Sequence, residues 1–322
     1  MNRLLTSLIS KFRRRFHKVA YYVSTVKYYF TPKKSPKYIK KVIGDIKPEI
    51  KDFIQKRVNY YNKLDEKNII NSEQNVNNFV RYKKSMGNTY FYDFAPLLKY
   101  FNKNYFFHFI PGDVTTIPNE ASFVKSRPIS NNNKNSILLK LNQIRHYYYE
   151  KDKLDFVDKK PILVWRGAAH QSHRQDFIKK FFYHPKCDVG ISKFKNDELI
   201  EYKKDYLTIS EQLQYKYIMS IEGNDVATNL KWIFRSNSVC FMRKPRFETW
   251  FMEGLLEANI HYVELKDDYS DLDEKIEYCE SNPEFCLNII KNAKNYASSF
   301  DDDNNELAIS LLVMQKYFDM TN

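Results

Sequence analysis

The sequence predicts an α/β protein built on a parallel sheet with helices on both faces. Three observations predict it. From residue 162 onward, short apolar runs alternate with segments of helical periodicity. Ile162–Trp165, Cys187–Ile191, Tyr215–Ile221, Ser238–Met242 and His261–Leu265 read as strands with helices between them. Glycine is scarce, seven in 322 residues, yet Gly112, Gly167 and Gly223 each end or directly follow a strand-like run. That placement asks for backbone freedom where strands stop. Hydrophobic residues make up 43% of the chain and aromatic ones 16%, enough to bury a core in one large or two medium domains.

The chain opens on an arm, residues 1–35. Leu4, Leu5, Leu8, Ile9, Phe12, Phe16, Val19, Ala20 and Val23 share one face of a helix, and Lys11, Arg13, Arg14, Arg15 and Lys18 lie largely on the other. Residues 1–44 hold 12 Lys or Arg and no Asp or Glu, which leaves 40 basic against 39 acidic over the other 278. Almost all of the net charge of +13 therefore sits on these N-terminal residues, not in a basic groove across the body. No apolar run approaches the roughly 20 residues of a membrane span, and the arm lacks the small-residue cleavage site of a secretory signal. The pattern suits a helix lying in the headgroup layer of an anionic leaflet; the alternative is a basic helix that packs on the body or binds RNA.

Thr31-Pro32 and Ser35-Pro36 break the arm helix, and residues 37–62 read as one or two polar helices. Asn71–Asn78 reads as a surface loop. Apolar runs follow at Tyr90–Phe94 and Tyr105–Ile110, the second a buried strand leading into Pro111-Gly112-Asp113. Residues 111–135 carry little secondary-structure signal, and Ser136–Glu150 reads as a helix with Leu138, Leu139, Leu141 and Ile144 inward. Charged residues 151–160 mark a domain boundary. Beyond it come helices at Gln171–Phe182, at Thr208-x-x-Glu211 (a capping box), at 225–236, at Glu248–Leu256, and from about Ser270, Pro283 and Asn304.

At residues 217–234 an apolar strand ends at Glu222-Gly223. Asn224 and Asp225 follow as capping residues, then Val226, Leu230, Ile233 and Phe234 at helical spacing. Such a junction points free backbone N–H groups and a helix dipole at an anion, commonly a phosphate, though it also occurs without ligand, and no G-x-G-x-x-G or G-x-x-x-x-G-K-[ST] pattern is present. Arg166, at a strand end, either reaches a diphosphate or pairs with a neighbouring carboxylate. Asp113, after the first-half strand, is either a proton acceptor or part of a turn. His170 and His173 lack a third ligand at metal spacing, and Asp271-Leu272-Asp273 and Asp301–Asp303 read as acidic helix starts, so no metal site is expected. Cys187, Cys240, Cys279 and Cys286 form no C-x-x-C and read as reduced, buried thiols of a cytoplasmic protein. No nucleophile elbow is present.

Trp165-Arg166-Gly167, Tyr215-Lys216-Tyr217, Glu222-Gly223 to Lys231, Ser238-Val239 and His261-Tyr262-Val263 resemble, in that order, glycosyltransferase family 90. The resemblance is strongest to its bacterial lipopolysaccharide-core branch, in residues 222–232 and in Lys244-Pro245-x-x-Glu248-Thr249-Trp250-Phe251. It implies a GT-B-like fold of two Rossmann-like domains facing a cleft: residues 36–158 on the acceptor side and 159–322 binding the nucleotide sugar. It also implies inverting transfer of a hexose, glucose or galactose, from a UDP-sugar to a lipid-linked lipopolysaccharide or lipooligosaccharide core. No metal or further cofactor and no nucleic-acid partner is implied. Residues 1–35 would rest on the anionic inner face of the inner membrane. Asp113 aligns with the family's catalytic aspartate. The donor site would draw on Arg166, Gly167, Gly223, Asn224, Asp225, Ala227, Thr228, Asn229 and Lys231, with Lys125 from a cleft-lining segment that also holds Ser122, Phe123 and Ser126. Eukaryotic members carry an arginine where Asn229 stands, which leaves that contact to Lys231, Arg243 or Arg246. The rival readings are another sugar, a capsule or protein acceptor, or a noncatalytic membrane- or RNA-binding protein that keeps the fold.

Overall fold

The computed structural model describes residues 3–30, 36–70, 74–81, 88–193 and 197–322. The helix break expected at Thr31, Pro32 and Ser35, and residues 71–73 of the Asn-rich loop, lie outside the described residues. Helices α1 (Arg3–Phe30), α2 (Pro36–Gly44), α3 (Lys51–Tyr61), α4 (Val76–Arg81) and α5 (Asn88–Leu98) precede strands β1 (His108–Ile110), β2 (Ser122–Val124), β3 (Ser126–Pro128) and β4 (Ser136–Leu138) and the short α6 (Gln143–His146). Then follow β5 (Lys160–Ala168), α7 (Ser172–Phe181), β6 (Cys187–Lys193), α8 (Ile209–Gln212), β7 (Tyr215–Met219), α9 (Leu230–Ile233), β8 (Val239–Arg243), β9 (Phe247–Thr249) and β10 (Val263–Leu265). Helices α10 (Leu272–Ser281), α11 (Pro283–Ser298) and α12 (Asp303–Thr321) finish the chain.

The chain divides into two compact units, the first Met1–Lys18, His146–Pro245 and Leu255–Ser299, the second Val19–Arg145, Arg246–Gly254 and Phe300–Asn322. These units cut across the divisions drawn at 35/36 and 158/159. The physical reason is visible in α12. Tyr317 packs on Phe123 (4.2 Å between ring centroids) and Phe318 on Phe101 (4.9 Å), so apolar burial places the last helix with the first-half elements.

The first unit is the α/β sheet that the alternating pattern predicts. Its five strands run parallel in the order β6-β5-β7-β8-β10. Leu163, Trp165, Val189, Tyr217, Met219, Val239, Phe241 and Val263 form its core with Phe177, Ile178, Ile276, Cys279, Cys286 and Ile289 from the helices. Burial on both faces explains why these strands read as near-continuous apolar runs. All four cysteines are buried and unbridged, and Thr208 and Glu211 close the expected capping box on α8.

The second unit holds a three-stranded parallel sheet, β1-β2-β4, and an antiparallel pair, β3-β9. No crossover helix joins its parallel strands: an irregular segment leads from β1 to β2, and β3 lies between β2 and β4. Its core is aromatic: Phe79 lies within 5.3–5.7 Å of Phe91, Phe94, Phe107 and Phe109, ring centre to ring centre.

Three sequence expectations fail here for physical reasons. Residues 136–150 are not one helix: Ser136–Leu138 is a fully buried strand paired with β2, and a buried strand has no period to distinguish it from a helix. Residues 248–256 begin instead as strand β9, because buried Glu248 accepts from Arg127 Nε (2.7 Å) beside the β3 pairing. The helix expected at 225–236 is four residues long, Leu230–Ile233. In addition, residues 111–135 hold two strands, β2 and β3, between their prolines.

In the second unit Tyr21 of α1 donates to Asp93 Oδ1 (2.9 Å) and the backbone N–H of Gln143 donates to Oδ2 (2.9 Å). Burial raises the Asp93 carboxyl to about 7 against these hydrogen bonds. The folded state thus holds this proton over a range in which the unfolded chain has released it. Its stabilising contribution is complete below the ordinary value of 3.8 and is lost as pH rises through 7. The wild type is expected to lose up to about 4 kcal/mol relative to Asp93→Asn between those limits. Urea unfolding of both proteins at pH 5 and pH 8 should read about 2.6 kcal/mol of that loss; parallel pH dependences would show that Asp93 titrates normally.

Candidate functional site

In the first unit the chain passes from β5 to β6 on one side of the sheet and then to β7 on the other. The direction of winding reverses between β5 and β7, and in open parallel sheets ligands bind outside the carboxyl ends of the strands at such a point. β5 ends at Ala168 and β7 at Met219, followed by the Glu222-Gly223 turn.

Residues from the start of α7 lace these two ends together. Arg174 donates from Nη1 to Ala168 O (3.0 Å), from Nε to Glu222 O (2.8 Å) and from Nη2 to Ile221 O (2.7 Å). Its guanidinium lies 5.8 Å from the centre of the Trp165 ring. His173 Nε2 lies 2.9 Å from Glu222 O, and Gln171 donates to Asn224 Oδ1 (2.9 Å). Arg243, at the end of β8, reaches Glu222 Oε2 (3.9 Å) and Asp267 (3.6 Å). The result is a turn held by two guanidinium groups at the switch point. Sequence reading missed Arg174 and named Arg243 only as an alternative diphosphate contact; the available signal for Arg174 was an Arg in the first turn after a strand end. His170 is exposed and does not join His173.

Gly223 has neither a left-handed φ nor a crowded neighbour: an added Cβ would stand 3.5 Å from Arg174 Nη2, ordinary contact. The backbone freedom expected there is not used. Gly112 does use it, with φ of +100°, and Gly167 is needed because a Cβ would meet the Trp165 ring at 2.7 Å.

Arg166 is turned away to the β6 side. It donates to Asp188 Oδ1 (2.6 Å), Asp188 O (2.6 Å), Trp165 O (2.9 Å) and Asp205 O (3.1 Å), so all three nitrogens are engaged within the fold. A diphosphate at Arg166 would have to displace these contacts. Burial would raise Asp188, but hydrogen bonds from Arg166 and Lys204 outweigh it and hold the carboxyl at about 2.

After the turn, Asp225, Ala227 and Lys231 are buried, Lys231 wholly so with its ammonium 5.9 Å from the Tyr147 ring centre. Asn224 is exposed and Thr228 half-buried. Asn229 donates to Met219 O (2.9 Å) and accepts from Ser220 Oγ (3.2 Å). It pins the end of β7, and α9 is too short to offer a helix dipole.

The second unit brings Asp113 and Lys125 together as an ion pair. Lys125 is buried with 3% of its side chain exposed, whereas Asp113 keeps 28%. The carboxylate stands in front of the cation. Ser126 Oγ accepts from Val114 N (3.0 Å) and fixes the turn behind Gly112. Among the described residues no group of three or more His, Cys, Asp or Glu side chains is placed to hold a metal ion.

Residues 139–317 match the sequence model of glycosyl transferase family 90. The chain is 45% identical to O-glucosyltransferase LpsA of Dichelobacter nodosus over 96% of its length and 98% of that protein. It is 24% identical to Protein O-glucosyltransferase 3 of Homo sapiens over 50% of the chain and 32% of that protein. It is 26% identical to Protein O-glucosyltransferase 2 of Danio rerio over 37% and 25%. A family match across more than half the chain and a relative matched almost end to end lead to one conclusion: this protein belongs to glycosyl transferase family 90 and is a glycosyltransferase.

Proposed function

We propose that the enzyme transfers glucose from a UDP-sugar, with inversion and without a metal ion, to a lipid-linked core oligosaccharide at the inner face of the inner membrane. The observation that carries the sugar is the 45% identity, nearly end to end, with a protein named O-glucosyltransferase LpsA. The switch-point turn of the first unit supports a donor site there. Gly223 meets no conformational need, so its missing side chain suits close approach of a diphosphate, with Arg174 and Arg243 as the nearby positive charge.

In the reaction Asp113 takes the proton of an acceptor hydroxyl. That oxygen bonds to the anomeric carbon from the side opposite the diphosphate, the bond from that carbon to the diphosphate oxygen breaks, and UDP leaves with the electron pair. The buried ammonium of Lys125 holds the carboxylate in place. A GT-B arrangement would bring the two substrates together.

No helix among the described residues is long and apolar enough to cross a membrane. Association with the anionic membrane surface is assigned to α1, whose Leu8, Phe12, Phe16, Val19 and Val23 are all more than half exposed.

The test is UDP release from a panel of UDP-sugars with EDTA present, with and without truncated core lipooligosaccharide. Acceptor-dependent release from UDP-glucose is expected. Release from a different donor alone would overturn the sugar, and loss of activity in EDTA would overturn the metal-independent reaction. Gly223→Ala is expected to change stability by no more than about 0.5 kcal/mol while weakening UDP binding about 10-fold, measured by calorimetry. Unchanged UDP affinity would move the diphosphate away from this turn.

A further inference from the structure

The first turns of α1 are mounted on the first unit with their polar side inward. Ser10, 2% exposed, donates to Glu150 Oε1 (2.6 Å), Arg14 donates to Tyr206 Oη (2.8 Å), and the His17 ring lies 4.9 Å from that of Tyr148. Residues three and four apart share a helix face, so Ser10, Arg14 and His17 define the docked side. Leu5, Leu8, Phe12 and Phe16 lie on the opposite side and are 50%, 63%, 70% and 65% exposed. A helix packed for stability does the reverse, burying its apolar stripe and leaving its polar face in water.

On the flank between the stripe and the docked side, a cavity of about 310 Å³ opens among Ile9, Arg13, Lys151, Lys153, Ser210 and Gln214. Asp152 also lines it, but its carboxylate already accepts from Lys159 Nζ (2.7 Å), Asn237 N (2.8 Å) and Leu154 N (3.2 Å). Glu150 is likewise committed, to Ser10, Ser210 and Tyr148. Among the described residues Arg13, Lys151 and Lys153 form no ion pair. Three uncompensated cations therefore border a part-apolar cavity, beside a stripe of large apolar side chains that faces outward.

We propose that this cavity seats the phosphate of an anionic lipid headgroup while Leu5, Leu8, Phe12 and Phe16 enter the acyl layer next to it. The proposal rests on the membrane association assigned to α1 above and adds a specific headgroup site to it. A guanidinium and two ammonium groups match the oxygens of a phosphodiester. Ile9, Leu154 and Leu213 offer an apolar wall to the glycerol and first methylenes. The flank position puts the phosphate at the depth of the headgroup layer when the stripe is inserted.

The experiment uses the full chain and co-sedimentation with phosphatidylcholine vesicles, with and without phosphatidylglycerol at one lipid in four. Phe12→Ser/Phe16→Ser is expected to abolish binding to both. If surface potential alone acts, removing two charges costs about 30-fold on any part of the basic face. Lys11→Gln/Lys18→Gln is expected to show that loss, and Lys151→Gln/Lys153→Gln a loss at least about 10-fold greater. Equal losses would overturn the headgroup site and leave membrane association standing, whereas no vesicle binding by the wild type would overturn both. Soluble dihexanoyl phosphatidylglycerol should bind the wild type saturably and the Lys151/Lys153 variant not at all. Inorganic phosphate binding as tightly would show that the cavity reads a bare anion and would overturn the lipid assignment. UDP release on a soluble acceptor, unchanged in the Lys151/Lys153 variant, separates this test from that of glycosyl transfer.

Discussion

Asp113→Asn is expected to lower kcat/KM for transfer by about 10²- to 10⁴-fold, the range typical of a lost general base, while UDP affinity stays within about 2-fold. The change keeps the shape of the side chain and leaves Lys125 a neutral acceptor in place of its carboxylate partner. The 28% exposure of Asp113 against 3% for Lys125 argues for the carboxylate as the group that meets substrate. Lys125→Met should act through it: with the buried cation gone, the carboxylate loses the partner that holds it in place, so kcat should fall while UDP affinity stays within about 2-fold. An Asp113→Asn enzyme that retains turnover would remove Asp113 as the base. An unchanged kcat in Lys125→Met would reduce Lys125 to a packing role.

Glu306→Ala is expected to cost about 3–5 kcal/mol of stability, because it removes one partner of a buried ion pair. Glu306 is 4% exposed and gathers three donors: Arg57 Nη1, Lys140 Nζ (3.1 Å) and the Trp250 indole N–H (2.6 Å). Arg57 is itself only 3% exposed and also donates to Tyr61 Oη (2.8 Å). Tyr61 stacks on Trp250 at 3.9 Å with planes 9° apart. Removing the carboxylate takes away the acceptor that two cations and an indole N–H share in the second unit. Replacing Arg57 and Glu306 together by Met should recover part of the loss, since it removes one of the two buried cations along with the carboxylate. Urea unfolding followed by tryptophan fluorescence measures both. A single-variant loss below about 1 kcal/mol would mean that water reaches the site.

The five strands of the first unit were readable because each is buried on both faces and bounded by a turn, which writes an apolar run of strand length into the chain. The same logic misleads at Ser136–Leu138, where a three-residue buried strand merges with the apolar residues after it. Asn229 shows a different limit. The sequence places it inside the helix expected at 225–236, yet it stands just before the short α9 and its amide turns back to Met219 O, a contact that sequence spacing does not express. Arg166 and Arg174 make the contrast sharpest. Both are arginines near the end of β5, but strand alternation sends Arg166 to Asp188, whereas the first turn of α7 delivers Arg174 to the Gly223 turn.

By itself the sequence determined the parallel α/β sheet of the first unit, the family, the burial of all four cysteines and the concentration of basic charge in the first 44 residues. These are local or compositional properties, set by periodicity, residue type and the order of motifs. Only the tertiary structure decided that the last helix joins the second unit, that Asp113 stands before a buried Lys125, that Arg174 rather than Arg166 laces the switch-point turn, and that α1 turns its apolar stripe outward. Each of those depends on which distant side chain satisfies a buried charge or donor, and that is settled by packing across more than one element.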